Sequence, residues 1–516
     1  MSLPVRSLTF VHAPHRHDRT GPLGTIDAAG VKALESPFAL ARKNVVDRHP
    51  ATRHLRTAIT TRIERTGHRR RRQLRMHRLT LTDLETIAQR HRPRRHETQL
   101  SPIRASVRPF APGIRCPDLV TSSQEAAMPA TFPFTTPHHL DNEPEAEALL
   151  AQAPVVLATM GPADVWLALS HKAVRQVLSD SRFSREAATL PGGPLKLSVA
   201  ADPLLVTSLD GERHARLRKL MSQAFSPRMV DQLEPRVQSI VDSLLDSLDP
   251  TADLVAGLCA PLPLMVICEL LGVPYSEAEA IRRWTRRLFV TDITPEELRA
   301  AQGEMQDWLA ELVRQKRARP DNGLISAMVA ANDEGDHLTE AELLANLEGL
   351  LIAGHETTVN QLGNSFLTLL RHPDQLALLR SSPDLIGPAV DELLRYSRLF
   401  SSAEIRVTTE PVALEGVELG AGEAVLPVIV AANRDPGVYP DPGRFDITRE
   451  GPAAHLAFGH GPHFCLGAIL ARREMRVAIG SVVKRFPGLR LAVDESALTY
   501  VPELVFRGLE ALPVTW

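Results

Sequence analysis

The stretch "FGHGPHFCLG", Phe458 to Gly467, puts three glycines, one proline, two histidines and one cysteine into ten positions. The run after Cys465, "LGAILARREMRVAIGSVVKRF", has helical spacing, so the cysteine sits at or just before a helix N-terminus. Free N–H groups and the positive end of the helix dipole favour a thiolate at such a place. Gly459, Gly461 and Gly467 permit a tight loop with amides turned toward the sulfur, and Pro462 stiffens it. The pattern suits an anionic sulfur held rigidly.

An inert core cysteine has no need of such a loop, and a cysteine nucleophile wants a nearby base rather than a cage. Ligation by one thiolate remains, in practice to an iron whose other ligands come from a porphyrin. On these residues the stretch resembles the haem-ligating signature of the cytochrome P-450 family. The resemblance implies that Cys465 is the axial ligand of the iron of haem b, with Phe458 packed against it and Gly459 in the same cofactor-binding loop.

Three further stretches fit the same family. "AGHETT", Ala353 to Thr358, breaks the long apolar run Leu338 to Leu370 with small and polar residues. Alone, a threonine in a helix commonly bonds the carbonyl one turn back. The resemblance instead makes Glu356 and Thr357 the catalytic proton-delivery pair, with His355 structural. "DELLRYS" places Glu392 and Arg395 at i and i+3 of one helix face, and the resemblance adds Arg434 as the third member of a buried structural cluster. In "LDGERHARLRKLMSQAFSPR", His214 and Arg218 share a face at i and i+4. Buried carboxylates need cationic or hydrogen-bonding partners, and the resemblance gives His214, Arg218, Arg406 and His463 to the haem propionates.

The fold implied is mainly α with a small β region, a triangular helical prism around the haem. Short helices are expected at "EPEAEALLAQAP" and "HKAVRQVLSD", with strands at "VVLATM" and "DVWLALS" between them. Hydrophobic residues are 44% of the chain and aromatics 4%, so the core must rest on aliphatic side chains. The four cysteines are scattered without a C-x-x-C pair, which argues for a reducing compartment and against a protein-only metal cluster. The apolar stretch Leu254 to Cys268 is too short to span a bilayer and contains two prolines. A soluble, cytoplasmic protein is expected.

Charge divides the chain near Met128. Residues 1–127 hold 24 Lys+Arg against 10 Asp+Glu, a net of +14, and the remainder carries −16. The run "RTGHRRRRQLRMHRL" has the composition of a nucleic-acid or membrane-surface patch, yet its periodicity is weak and no nucleic-acid module accompanies it. A disordered basic extension, or a start at Met128, is the reading preferred over a transit segment. Residues 128–516 are expected to form the catalytic domain.

The resemblance implies a monooxygenase that activates dioxygen to hydroxylate or otherwise oxidise a lipophilic small molecule. It also implies electrons from a separate ferredoxin and ferredoxin reductase, steered by Arg213, Arg216, Lys219, Arg472, Arg473 and Arg476. The family position of the pocket falls on Phe183 to Thr207, Leu350 to Ala353, "LFSSAEI" and "ELVF", with Ser401 and Ser402 as hydrogen-bond donors. Oxidative aryl coupling, peroxide-driven oxidation and a non-enzymatic haem sensor are the alternatives.

Overall fold

The computed structural model describes residues 130–134, 143–190, 202–289, 294–333, 338–450, 454–501 and 507–516. All belong to the second of two compact units, Val120–Trp516. The expectations placed on residues 1–127, and the pocket segment "ELVF", lie outside the described residues.

Helices dominate, with strands gathered in a minor part. Near the start, α1 (Pro144–Gln152), α2 (His171–Ser179) and α3 (Arg185–Thr189) alternate with β1 (Ala130–Phe132), β2 (Val155–Met160), β3 (Ala163–Ala168) and β4 (Phe183–Ser184). The expected helix–strand–strand–helix order is therefore present. Ser170 caps α2 by accepting the Ala173 N–H at 3.0 Å. Next come α4 (Gly211–Ser222), α5 (Pro227–Asp246), β5 (Thr251–Asp253), α6 (Pro261–Leu271), α7 (Ala278–Phe289), α8 (Pro295–Ala318) and α9 (Leu324–Asp333). The long α10 (Glu340–Arg371) is followed by α11 (Pro373–Ser381) and α12 (Ile386–Tyr396). Later elements are β6 (Arg406–Thr408), β7 (Val412–Leu414), β8 (Val417–Leu419), β9 (Ala424–Pro427), α13 (Ile429–Ala432), α14 (Ala468–Arg485), β10 (Arg490–Leu491) and β11 (Pro513–Thr515).

The main sheet runs β1-β2-β3-β9-β6-β4, so strands far apart in sequence meet across β3 and β9. Trp166 pairs with Val425 in parallel, and Arg406 pairs with Val425 in antiparallel register on the other side of β9. That pairing carries Arg406 into the interior.

The 32 residues of α10 run through the molecule because its apolar side chains are spread around the axis rather than along one stripe. Thr339 and Glu342 close its start as a capping box. Pro373 marks the end of α10: the preceding His372 leaves helical backbone after Arg371, and the proline occupies the first turn of α11, where its missing N–H is harmless. Leu347, Leu351, Leu362 and Phe366 of α10 join Val266, Leu393 and Ile479 in the principal core, each essentially without exposure. Burying one such side chain contributes roughly 1.5–3 kcal/mol, so this aliphatic cluster fixes α6, α10, α12 and α14 around one another.

Within that frame Arg395 grips Glu392 through two hydrogen bonds of 2.7 Å, with both side chains buried. The third member is Arg449, whose Nε donates to Glu392 Oε1 at 3.2 Å. Arg434 does not fill the place expected of it. It stacks over the Tyr396 ring at 4.5 Å and donates to the Tyr396 carbonyl at 3.1 Å, because the chain after α13 turns it back over α12. Residues 440–449 wrap the Glu392 side instead, where the Asp446 N–H also donates to Oε1 at 3.1 Å.

Candidate active site

The cysteine loop closes on itself before α14 begins. The Cys465 N–H donates to the Phe458 carbonyl at 2.9 Å, and the Gly459 N–H donates to Leu456 at 2.8 Å. Gly459 and Gly461 adopt φ of +71° and +70°, a left-handed backbone that glycine enters without penalty. At Gly461 a Cβ would also lie 2.4 Å from the Leu178 carbonyl, so α2 presses directly on the loop. Gly467 meets the expectation without a left-handed backbone. Its φ is −83°, it serves as the N-terminal cap of α14, and its N–H points at the Cys465 sulfur.

Cys465 has open surface although protein atoms crowd it closely, as for a group on the wall of an internal space. Burial pushes its thiol up, against the Gly467 N–H and the charges of Arg218 and Arg472. The helix end alone therefore does not hold a thiolate, and a cation bonded to the sulfur is what would remove the proton outright. Among the described residues, no group of three or more His, Cys, Asp or Glu side chains is placed to hold a metal, so a metal at Cys465 must bring other ligands with it.

A second patch of open interior surface lies on α10. Ala353 is exposed and Thr357 partly so, while the neighbouring turns are buried. The two are one turn apart on the same face, and the Thr357 hydroxyl donates to the Ala353 carbonyl at 2.7 Å. Glu356 is buried on the adjoining face, where burial pushes its carboxyl up and the charges of Arg286 and Arg282 on α7 oppose that shift. His355 points into the protein, its Nδ1 3.1 Å from the Thr285 hydroxyl and 3.5 Å from Glu356 Oε1. Burial lowers the His355 pKa to about 4, which keeps the ring neutral.

The four residues assigned to propionates come together with Asp210, which the sequence pattern did not single out. The rings of His214 and His463 are 4.2 Å apart, and His463 Nε2 is 3.4 Å from Asp210 Oδ1. Burial would raise the Asp210 carboxyl, but His463, the Ser184 hydroxyl at 2.6 Å and the Glu186 N–H at 2.9 Å hold it well below the usual carboxylate range. The one sequence signal for Asp210 is its place immediately before α4. His214 Nε2 is buried with no partner, and burial together with the His463 and Arg218 charges lowers its pKa to about 4. Arg406 is almost fully buried and donates to the carbonyls of Glu404 and Ile405, so desolvation brings its pKa down to about 10. An unpartnered ring nitrogen beside the Arg218 and Arg406 guanidiniums is the chemistry that carboxylate groups of a cofactor would satisfy, and the residues present fit a haem.

Several of the expected residues also carry contacts within the protein. Ser401 donates its hydroxyl to Glu143 at 2.5 Å, where Arg398 also pairs at 2.7 Å, so that serine braces the N-terminal part of the fold. Of the six basic residues expected to meet a partner protein, Arg213 pairs with Glu186, Arg216 with Glu342, Arg472 with Asp391, and Arg473 with Asp231 and Glu234. Phe400 is about one-third exposed in the segment expected to line the pocket. Among the described residues, no helix is long and apolar enough to cross a membrane.

The Cytochrome P450 family description matches residues 285–382 and 385–492. Cytochrome P450 monooxygenase PikC of Streptomyces venezuelae is 44% identical over 358 residues, which cover 68% of this chain and 85% of the relative. The vitamin D(3) 25-hydroxylase of Pseudonocardia autotrophica is 43% identical over 398 residues, covering 76% of this chain and 97% of that protein. The crystal structure of the LnmA cytochrome P450 hydroxylase, from the leinamycin biosynthetic pathway of Streptomyces atroolivaceus S-140, superimposes with a TM-score of 0.70 at 40% identity. That match covers 75% of this chain and 100% of the other. Likeness at this level, along nearly the whole length of each relative, means that the chain belongs to the cytochrome P450 family of haem b-dependent monooxygenases.

Proposed function

We propose that Cys465 is the axial thiolate ligand and that the enzyme hydroxylates, or otherwise oxidises, a large lipophilic molecule of secondary metabolism in the cytoplasm. Residues 128–516 form the catalytic domain in this reading, with residues 1–127 outside it. The observation that carries it is the joint placement of an open sulfur in a glycine-constrained loop and an unpartnered, buried His214 Nε2 beside Arg218 and Arg406. Bound haem supplies dioxygen activation with electrons delivered from outside the chain.

The protein's own residues hold and move the proton. Thr357 presents its hydroxyl to the open surface, and its donation to the Ala353 carbonyl can be exchanged for donation into the pocket without moving the helix. Glu356, whose burial favours the neutral acid, is the adjacent proton source, and Arg282 and Arg286 favour its ionised form after the proton leaves. Phe400 is exposed and apolar in a segment read as facing the substrate, in keeping with the vitamin D(3) named as substrate of one relative. A ferredoxin, with its reductase, donates the electrons. Its acidic face meets Lys219 and Arg228, exposed on α4 and α5.

The test is the difference spectrum of the reduced protein with carbon monoxide, with Cys465→Ala as control. A red-shifted thiolate Soret band that disappears in the variant is expected, and its absence from the wild type would overturn the assignment.

A further inference from the structure

Arg472, one of the cations expected to face a partner, is part-exposed and held by neighbouring side chains. From α14 its Nε donates to Asp391 Oδ1 at 2.7 Å, and its guanidinium lies over the Phe458 ring at 4.6 Å. Phe458 is the residue whose carbonyl receives the Cys465 N–H. His455 completes the group. Its Nδ1 accepts the Ala457 N–H at 3.2 Å, which leaves Nε2 facing Asp391 Oδ1 at 3.5 Å, with Arg472 Nη2 3.2 Å from the same nitrogen. His455 is buried, whereas the Asp391 side chain keeps 46% of its exposure. Burial would raise the Asp391 carboxyl, but the hydrogen bonds of His455 and Arg472 hold it at about 2, so it is an anion throughout the working range.

The charges that favour an ionised Cys465 sulfur include Arg218 and Arg472. Arg218 donates to the Phe464 carbonyl and already belongs to the haem pocket. Arg472 does not. Its cation is held close by an aromatic face and partly compensated by one carboxylate.

We propose that Arg472, oriented by Asp391 and His455, is a positioning residue that sets the electrostatic field at the Cys465 sulfur and thereby the reduction potential of the iron bound there. A positive charge near a metal–thiolate centre favours its electron-rich, reduced state, and a negative charge disfavours it. Asp391 and Arg472 therefore act with opposite signs, and the potential reports their balance. A role in folding alone has no such sign, since loss of either partner would loosen the same contact. The inference rests on Cys465 being the iron ligand.

The experiment is a spectroelectrochemical titration of the haem-loaded wild type and of Asp391→Asn, Arg472→Gln, Arg472→Lys and the double Asn/Gln variant, with the carbon-monoxide spectrum recorded for each. Asp391→Asn keeps an acceptor for Arg472 and removes only the charge. The expected result is a potential raised in Asp391→Asn, lowered in Arg472→Gln, restored toward wild type in the double variant and kept by Arg472→Lys. Shifts of the same sign, or no shift in Asp391→Asn, overturn the proposal. If Arg472→Gln fails to retain haem, the sign in Asp391→Asn decides alone. A wild type without the thiolate band would fail the ligand assignment itself, whereas wrong signs with the band intact fail only this proposal.

Discussion

The His214 and His463 rings lie with centroids 4.2 Å apart at a tilt of 39°, although only His463 has a carboxylate in hydrogen-bond reach. Asp210 faces the His463 Nε2, while the His214 Nε2 is buried and unpartnered. Leaving such a nitrogen unsatisfied costs about 1–3 kcal/mol, which a cofactor carboxylate returns on binding. His214→Ala is accordingly expected to fold with unchanged or slightly higher apoprotein stability and to bind haem about 10- to 100-fold more weakly, since about 1.4 kcal/mol is tenfold in affinity. Haem titration of the apoprotein, beside its thermal transition, checks both halves. A drop in apoprotein stability without a loss of affinity would make His214 a packing residue.

Gly461 and Gly467 flank the same cysteine but carry different constraints. A Cβ at Gly461 meets the Leu178 carbonyl at 2.4 Å with φ at +70°, while a Cβ at Gly467 meets nothing within 4 Å at φ −83°. Gly461→Ala is expected to lose about 2–4 kcal/mol, from the left-handed backbone and the forced separation of α2 from the loop. Gly467→Ala should change apoprotein stability by less than about 0.5 kcal/mol, as for a substitution that disturbs no packing. Urea unfolding of the two apoproteins makes the comparison, and equal losses would count against a loop shaped by contact with α2.

The cysteine loop and α10 were legible in the sequence because their signals are local. Glycines around Cys465 and a 32-residue run without a polar face state the backbone path directly. Pairings across long separations were not legible. Arg434 and Arg449 both lie after α13 in one stretch rich in proline and glycine, and nothing in it says which one reaches Glu392. Ser401 looked free because its acceptor, Glu143, is 258 residues away. Arg472 sits in a run of cations that reads as a partner-facing patch, and only the packing of α12 against α14 brings Asp391 to it. Periodicity reports neighbours one turn away, whereas these contacts are set by how helices cross.

Thr357 donates to the carbonyl one turn back, the arrangement any helical threonine can adopt, yet it does so on an exposed face of an otherwise buried helix. Thr357→Ala is expected to retain haem and the carbon-monoxide spectrum, since no packing partner is lost. Product formed per reducing equivalent should fall roughly 10²-fold or more, the usual scale for removing a placed proton donor. Comparing cofactor oxidation with product yield separates the two effects. Full product yield in the variant would remove Thr357 from proton delivery.

Glu474 of α14 is fully buried, has one oxygen without a partner, and is pushed up to about 8 by desolvation with no opposing charge. The folded state therefore holds this proton more tightly than the unfolded chain, which releases it near 4.5. Stability from this group is complete below that value and declines as pH rises through the window up to about 8, because folding must then take up a proton. Glu474→Gln removes the proton uptake while keeping the shape. The variant is expected to show a flatter dependence of thermal midpoint on pH between about 5 and about 8.5. At the alkaline end it should exceed the wild type by a few kcal/mol, since each pH unit crossed in that window is worth about 1.36 kcal/mol. Parallel pH curves for the two proteins would place the titrating group elsewhere.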